Sequence, residues 1–127
     1  MILGLGVDLC DIRRMQRAIR SDYFVRRVFR PEEIAYADGK GTGRAASYAS
    51  AFAAREAFSK ASGVSMYKLA LGSQLRLDRS EEIPRLVVPP DVDADFSARK
   101  KRAWVSLSHD GNYAVAVVVI EKVTGES

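Results

Sequence analysis

The chain has 127 residues, of which 47% are hydrophobic and 28% are charged, and its formal net charge at pH 7 is +4. This length and composition are typical of one globular domain, which we expect to cover residues 1–127. The single cysteine and single histidine exclude an internal disulfide and a zinc site of Cys and His ligands. No apolar run reaches the roughly 18 residues of a membrane span, and no basic region precedes the apolar start. We therefore expect a cytoplasmic protein that is neither exported nor membrane-bound.

Positive charge is concentrated in the first quarter of the chain. Its arginines are Arg13, Arg14, Arg17, Arg20, Arg26, Arg27 and Arg30. This asymmetry predicts an anionic partner for the N-terminal region.

Residues 2–9 alternate in the manner of a β-strand. One face carries Leu3, Leu5, Val7 and Leu9, and the other carries Gly4, Gly6 and Asp8. The glycine face permits the close approach of another backbone. We expect Asp8 to end the strand, where its carboxylate either holds a hard cation or simply caps a helix or turn.

A basic amphipathic helix is predicted next, with Asp11 as its N-cap and its end near Arg20. Its inner stripe is Ile12, Met15 and Ile19, and its outer face carries Arg13, Arg14, Arg17 and Arg20. Phe24 and Arg27 extend this surface beyond an interruption at residues 21–22. A basic surface of this kind suits nucleic acid, anionic lipid or an acidic protein helix.

A short helix is predicted from Pro31, with acidic residues in its first turn. It closes in a glycine-rich loop at residues 38–44, which lacks the spacing of a P-loop and follows a helix instead of a strand. We interpret this loop as a flexible connector in which Lys40 or Arg44 could touch an anion.

The longest predicted helix covers residues 47–60, which are rich in Ala and contain no Gly or Pro. One side of it gathers Ser47, Ala54, Ala57, Phe58 and Ala61, as expected for a helix sunk into a core. Glu56 and Lys60 stand four apart on the roughly opposite stripe. An ion pair between them is the simplest interpretation, but a charge near a core can also serve a metal or a ligand.

Gly63 is expected to end this helix. The alternation at residues 71–78 predicts a second strand, and Leu-Val-Val at 86–88 predicts a third, with a turn at 80–84 between them. A short helix is expected within residues 92–100.

Two strands at residues 103–109 and 113–121 form a predicted hairpin around Asp110-Gly111-Asn112. The last strand is apolar on both faces, so we expect it at the centre of the sheet. His109 lies where the first arm ends, a position more typical of a surface residue than of a catalytic one.

Three segments taken together resemble a known family. They are GVDLCDIRRM at 6–15, FAAREAFSKA at 52–61 and SLSHDGNYAVAVVV at 106–119. In order and separation they are similar to the motifs of the holo-[acyl-carrier-protein] synthases, the small bacterial 4′-phosphopantetheinyl transferases. The resemblance covers nearly the full chain. It implies an α+β fold with a mostly antiparallel sheet on a long central helix, a homotrimer with sites at subunit boundaries, and dependence on Mg²⁺.

The resemblance also implies roles for particular residues. Asp8 and Glu56 match the metal-binding carboxylates, and Lys60 matches the lysine on the phosphate side of coenzyme A. The remaining positions that match coenzyme A contacts are Ser108, His109 and Pro84. The chain departs from the motifs at Arg55, where Lys is usual, at residues 50–51, where Gly-Arg is usual, and at residues 82–84, where Gly-Lys-Pro is usual.

Arg14 matches the arginine of the first motif, whose helix in the family docks against the acidic recognition helix of acyl carrier protein. The predicted carrier-binding surface comprises Arg13, Arg14, Arg17, Arg20, Phe24 and Arg27.

The implied reaction moves 4′-phosphopantetheine from coenzyme A to a serine of apo acyl carrier protein and releases adenosine 3′,5′-bisphosphate. It prepares the carrier for fatty acid synthesis. Because the nucleophile belongs to the substrate, the enzyme needs positioning and charge stabilisation instead of a catalytic triad. Two acids suffice to hold Mg²⁺ on a diphosphate. Glu56 is the predicted general base, directly or through a metal-bound water, and Lys60 is the second catalytic residue.

Two other functions compete with this one. A nucleic-acid-binding module would use the arginine helix and Phe24, but it leaves Asp8 and Glu56 without a purpose. A metal-dependent phosphohydrolase would use the same carboxylates. The transferase accounts for both features, so we expect neither a nucleic acid nor a membrane as partner.

Overall fold

A computed structural model describes residues 1–71 and 73–123 and shows helices packed against antiparallel sheets. The strands are β1 (Ile2–Asp11), β2 (Arg76–Asp78), β3 (Arg85–Val87), β4 (Lys101–Asp110) and β5 (Tyr113–Lys122). The helices are α1 (Ile12–Ala18), α2 (Asp22–Val28), α3 (Pro31–Asp38), α4 (Arg44–Ser62), α5 (Met66–Leu71) and α6 (Ala94–Ser97). The architecture is the α+β class that the sequence predicts. None of the described helices is long and apolar enough to cross a membrane.

The larger sheet has the order β1-β5-β4, and all its neighbours are antiparallel. The prediction of a central final strand is therefore confirmed. A tight turn at Gly111 (φ 58°) and Asn112 joins β4 to β5. The inward side chains of β5 are buried: Ala114, Ala116, Val118 and Ile120.

Helix α4 lies directly on the inner face of β1 and β5. A Cβ placed on Gly4 would stand 1.8 Å from the carbonyl oxygen of Ala61, and one on Gly6 would stand 2.0 Å from that of Ala57. The prediction that the glycine face admits another backbone is confirmed, and the backbone is that of α4. Gly63 ends α4 in the left-handed conformation (φ 80°), also as predicted.

The opposite face of β1 is apolar and exposed. It presents Leu3, Leu5, Val7 and Leu9, and 66% of Leu5 is accessible to solvent. The register continues this face onto Val115, Val117 and Val119 of β5, which are half-buried.

Two strand boundaries were predicted wrongly. β1 continues past Asp8 to Asp11, because its ladder with β5 runs on to Tyr113. The predicted strand at 71–78 is shorter, since Leu71 belongs to α5 and β2 begins at Arg76; Gly72 lies outside the described residues. Just before β2, the Arg55 guanidinium donates to the carbonyl of Leu75.

The short helix expected within residues 92–100 occupies only α6. The Asp93 carboxylate caps its start by accepting the amide of Asp95, and Arg99 leaves helical geometry with φ 61°.

The loop at 38–44 contains a short 3₁₀ segment, Gly41–Gly43. One carboxylate oxygen of Asp38 accepts two hydrogen bonds, one from Nε–H of Arg44 at 2.7 Å and one from the hydroxyl of Tyr48 at 2.9 Å. Lys40 lies 4.3 Å from the centre of the Tyr36 ring. These contacts connect the loop to α3 and α4.

Candidate active site

Asp8 lies on the inner face of β1, and only 11% of its side chain is exposed. The ammonium of Lys60, in the last turn of α4, donates to the Asp8 carboxylate at 2.9 Å and to the carbonyl of Val7 at 3.1 Å. These bonds join the middle of β1 to the end of α4. Asp8 comes within reach because the glycine face brings the two elements together.

Glu56 lies one turn before Lys60 on α4 and is half-buried. Burial raises the pKa of Glu56, and the negative charge of the neighbouring Asp8, which can share a hydrogen bond with it, raises the pKa further. The positive charges of Lys60 and Arg14 act in the opposite direction. The fold therefore brings together the two acids that the sequence analysis selected from distant parts of the chain.

The simple ion pair between Glu56 and Lys60 is not what the structure shows. Lys60 pairs with Asp8, and this hydrogen bond raises the pKa of Lys60. An interpretation based on helix spacing could not include Asp8, which approaches only through the tertiary contact.

The chemistry of the cluster suits Mg²⁺. This ion is commonly held by one or two carboxylates together with substrate phosphate oxygens and water. Asp8 and Glu56 are two such carboxylates, and their mutual repulsion in a partly buried place would be relieved by a divalent cation.

Ser108 and His109 lie at the end of β4, where both are exposed. The register pairs Ser108 with Val115 and His109 with Ala114. Because neighbouring side chains of a strand point to opposite faces, Ser108 shares the exposed apolar face, while His109 shares the face of Asp8. The two residues therefore leave the sheet in different directions.

Pro84 lines a cleft of about 1510 Å³ between the segment that follows β2 and the edge of β4. The walls include Trp104, whose ring NH donates to Glu121 at 2.8 Å, and Arg102, whose guanidinium lies 5.2 Å from the Trp104 ring centre. Asp8, Glu56 and Lys60 are not among the cleft residues. Sequence reasoning missed this cleft, since only Pro84 had been singled out.

The predicted arginine surface is present on α1, on α2 and on the turn between them. Arg13, Arg14, Arg17, Arg20 and Arg27 are exposed. Within residues 1–71 and 73–123 none of these five is in an ion pair. Phe24 is half-buried, and its ring packs 6.1 Å from that of Phe29 and 6.4 Å from that of Phe52.

Sequence reasoning also missed a buried ion pair between Glu33 and Arg55. The Nη1 atom of Arg55 donates to Glu33 at 2.8 Å, and Nη2 donates to the other carboxylate oxygen. The only signal was the arginine itself, which stands beside Glu56 inside a helix that is otherwise largely apolar.

A sequence model of the 4′-phosphopantetheinyl transferase superfamily matches residues 4–118. The chain therefore belongs to this superfamily, and the class predicted from the three motifs is confirmed.

Within the superfamily, the chain is similar to holo-[acyl-carrier-protein] synthases. The one from Anaeromyxobacter dehalogenans is 40% identical over 128 residues, which cover 95% of this chain and 97% of the relative. The one from Geotalea daltonii is 37% identical over 126 residues, covering 96% and 100%. The predicted enzyme class is confirmed by these relatives.

Solved structures show the same fold. The holo-(acyl-carrier-protein) synthase of Bacillus anthracis in complex with CoA (3′,5′-ADP) has a TM-score of 0.76 and 29% identity, covering 97% of this chain and 99% of that one. The Helicobacter pylori enzyme in complex with coenzyme A has a TM-score of 0.71 and 25% identity, covering 92% and 99%.

Proposed function

We propose that this protein transfers 4′-phosphopantetheine from coenzyme A to a serine of apo acyl carrier protein in a Mg²⁺-dependent reaction. Adenosine 3′,5′-bisphosphate is released, and the carrier becomes competent for fatty acid synthesis. The observation that carries the proposal is the convergence of Asp8, Glu56 and Lys60, which suits a metal-bound diphosphate. Membership of the superfamily and the coenzyme in related structures support it.

Each residue of the cluster has a distinct role in the proposal. Asp8 and Glu56 would hold Mg²⁺, which would supply charge neutralisation at the diphosphate. Lys60 binds a phosphate oxygen from the side of α4. Glu56 accepts the proton of the serine hydroxyl as the serine oxygen bonds to the β-phosphorus and the bond from that phosphorus to the bridging oxygen breaks. Adenosine 3′,5′-bisphosphate carries that oxygen away.

Coenzyme A is proposed to contact Lys60, Ser108, His109 and Pro84. The cleft beside Pro84 is large enough for a coenzyme fragment, since ligand sites usually measure about 300 to 1000 Å³.

The carrier is proposed to dock on the arginine surface. Arg13, Arg14, Arg17, Arg20 and Arg27 have no ion-pair partner among the described residues, so they are available to an acidic helix. Phe24 supplies the part of its ring that remains accessible.

A homotrimer is proposed to cover the exposed face of β1. Leucines and valines in one continuous row are an unusual surface for a monomer and typical of an interface between copies. Because Asp8 is on the other face of the same strand, such an interface would lie next to the catalytic cluster.

Incubation of the protein with coenzyme A, Mg²⁺ and an apo carrier tests the proposal. A mass gain of one phosphopantetheine group on the carrier, lost when Mg²⁺ is chelated, is expected. Release of inorganic phosphate without a mass gain would favour the phosphohydrolase. Retention of a polyanion with neither product would favour the nucleic-acid-binding module.

A further inference from the structure

The ion pair between Glu33 and Arg55 connects more of the fold than its two helices. Both residues are 1% exposed. Besides the two bonds from Arg55, the Glu33 carboxylate accepts the amide of Arg30 at 2.8 Å and that of Leu77 at 2.9 Å. Four donors thus converge on one buried carboxylate.

Arg55 connects the same region from the side of α4. It donates to the carbonyl of Ala51 at 3.1 Å within its own helix and to that of Leu75 at 3.2 Å. The pair therefore holds the backbone on both sides of Arg76, at Leu75 and at Leu77.

These hydrogen bonds help to hold β2 in place, because β2 has only one neighbouring strand. β2 and β3 form a two-stranded sheet with three residues in each strand. A ribbon of this size is not stable alone in water, so its position depends on what it packs against. The Glu33–Arg55 pair is a fully buried polar link between β2 and α4.

The position of β2 bears directly on the coenzyme cleft. β2 ends at Asp78, and residues 80–88 form one wall of the cleft. α4 carries Glu56 and Lys60. A displacement of β2 relative to α4 would carry this wall with it.

We propose that Glu33 and Arg55 are positioning residues for coenzyme A, which hold the 80–88 wall of the cleft in a fixed place relative to α4. Neither touches the substrate. The inference rests on the proposed function. In this inference the wall binds an unreacting part of coenzyme A about equally in the ground state and the transition state, so its displacement raises KM without lowering kcat.

Glu33→Gln tests this directly. The amide of Gln replaces one accepting oxygen with an NH₂ group, which cannot accept the N–H bonds that Glu33 accepts. The KM for coenzyme A should rise on the order of tenfold. The kcat at saturating coenzyme A and the KM for the carrier should stay within about twofold of the wild-type values. The Kd for adenosine 3′,5′-bisphosphate, measured by calorimetry, should rise in parallel with the KM for coenzyme A.

Glu32→Gln is the matched control. Glu32 also joins α3 to β2, through an ion pair with Arg76 at 3.0 Å, but 62% of its side chain is exposed. This control should leave KM and Kd unchanged.

Arg55→Lys is the second variant and decides the matter alone if Glu33→Gln does not fold. Lysine keeps the positive charge but cannot donate from two nitrogens to both oxygens of Glu33. The KM for coenzyme A should therefore rise, but by less than in Glu33→Gln. Unchanged KM and Kd in the folded variants, a fall in kcat alone, or an equal effect of Glu32→Gln would overturn the inference. If instead the wild-type protein transfers nothing to a carrier, the proposed function fails first.

Discussion

Asp8 and Glu56 lie together although like charges repel, and Lys60 is hydrogen-bonded to Asp8. Burial, followed by the negative charge of Asp8, raises the pKa of Glu56. Such a cluster is typical of a functional site, because a structural role would be served better by a simple ion pair. At the scale of single residues, Glu56 is therefore the residue on which the proposed chemistry is best tested.

Glu56→Gln should reduce kcat by about 10² to 10⁴-fold, the usual contribution of a general base, and by more if Glu56 also holds Mg²⁺ as proposed. The variant should fold normally, since it removes a charge that Asp8 repels. Product mass on the carrier and a thermal melt measure the two effects. Near-normal turnover would refute the role of Glu56.

The alkaline stability of the protein should depend on Tyr48. Burial, followed by the hydrogen bond to Asp38 and its negative charge, raises the pKa of Tyr48 to about 12. The value in the unfolded chain is about 10. Because the folded pKa is the higher one, the stabilisation is complete below pH of about 10 and is lost as pH rises toward 12.

In Tyr48→Phe this part of the pH dependence should disappear. The free energy of unfolding, measured by urea denaturation across that range, should fall less steeply with pH than in the wild type. Tyr67→Phe is the control, because Tyr67 is 75% exposed and should leave the slope unchanged. Equal slopes for Tyr48→Phe and the wild type would contradict the prediction.

At the scale of elements, the site is built by the contact of α4 with β1. Two glycines let the helix approach so closely that Lys60 reaches Asp8. Arg13, Arg14, Arg17, Arg20 and Arg27 form a separate, exposed surface, and within residues 1–71 and 73–123 they have no ion-pair partner, unlike buried Arg55.

Gly6→Ala should destabilise the protein by roughly 3 kcal/mol or prevent folding, because the added methyl group overlaps the helix backbone. Its Cβ would lie 2.0 Å from the Ala57 oxygen. Gly39→Ala is the control, since its Cβ would meet its nearest neighbour at 3.5 Å. Thermal melts compare the two, and a wild-type melting temperature for Gly6→Ala would show that α4 can move away from β1.

Charge reversal at Arg14 and Arg17 should raise the KM for the carrier far more than that for coenzyme A. Added salt should weaken wild-type carrier binding and have a smaller effect on the variant. Reversal at Arg85, which is paired with Glu81 beside the cleft, is the control and should leave the carrier KM unchanged. Equal effects of the Arg14 and Arg17 reversal on both substrates would count against docking on this surface.

At the scale of the whole molecule, the sheet buries one face under α4 and exposes the other. The exposed face is built by Leu3, Leu5, Val7 and Leu9. Apolar burial contributes about 25 cal/mol per Å², so a row of this size favours self-association.

Leu5→Asp together with Leu9→Asp should convert the proposed trimer to a monomer, because two charges would be placed in an apolar interface. Sedimentation velocity measures the change. Tyr67→Asp is the control, as this exposed residue lies on α5, away from the sheet face. A wild-type protein that sediments as a monomer would refute the trimer.

Much of the fold could be predicted from local patterns. The Gly4 and Gly6 face, the N-cap at Asp11, the central final strand and the end of α4 at Gly63 all follow from periodicity, capping and glycine geometry. These are properties of neighbouring residues, and the sequence encodes them directly. The positions of Asp8 in the predicted strand and of Glu56 and Lys60 in the predicted helix singled these residues out. Motif resemblance then supplied the family and the roles.

The partners of buried charges could not be predicted in this way. Lys60 bonds to Asp8, and Arg55 bonds to Glu33, because the packing of α4 on β1 and of α3 on α4 brings residues from distant parts of the chain together. The predicted length of β2 was wrong for the same reason, since the backbones of Leu75 and Leu77 bind side chains of other elements. Periodicity states which residues are buried, but the pairing of buried polar groups depends on three-dimensional distances that the packing alone establishes.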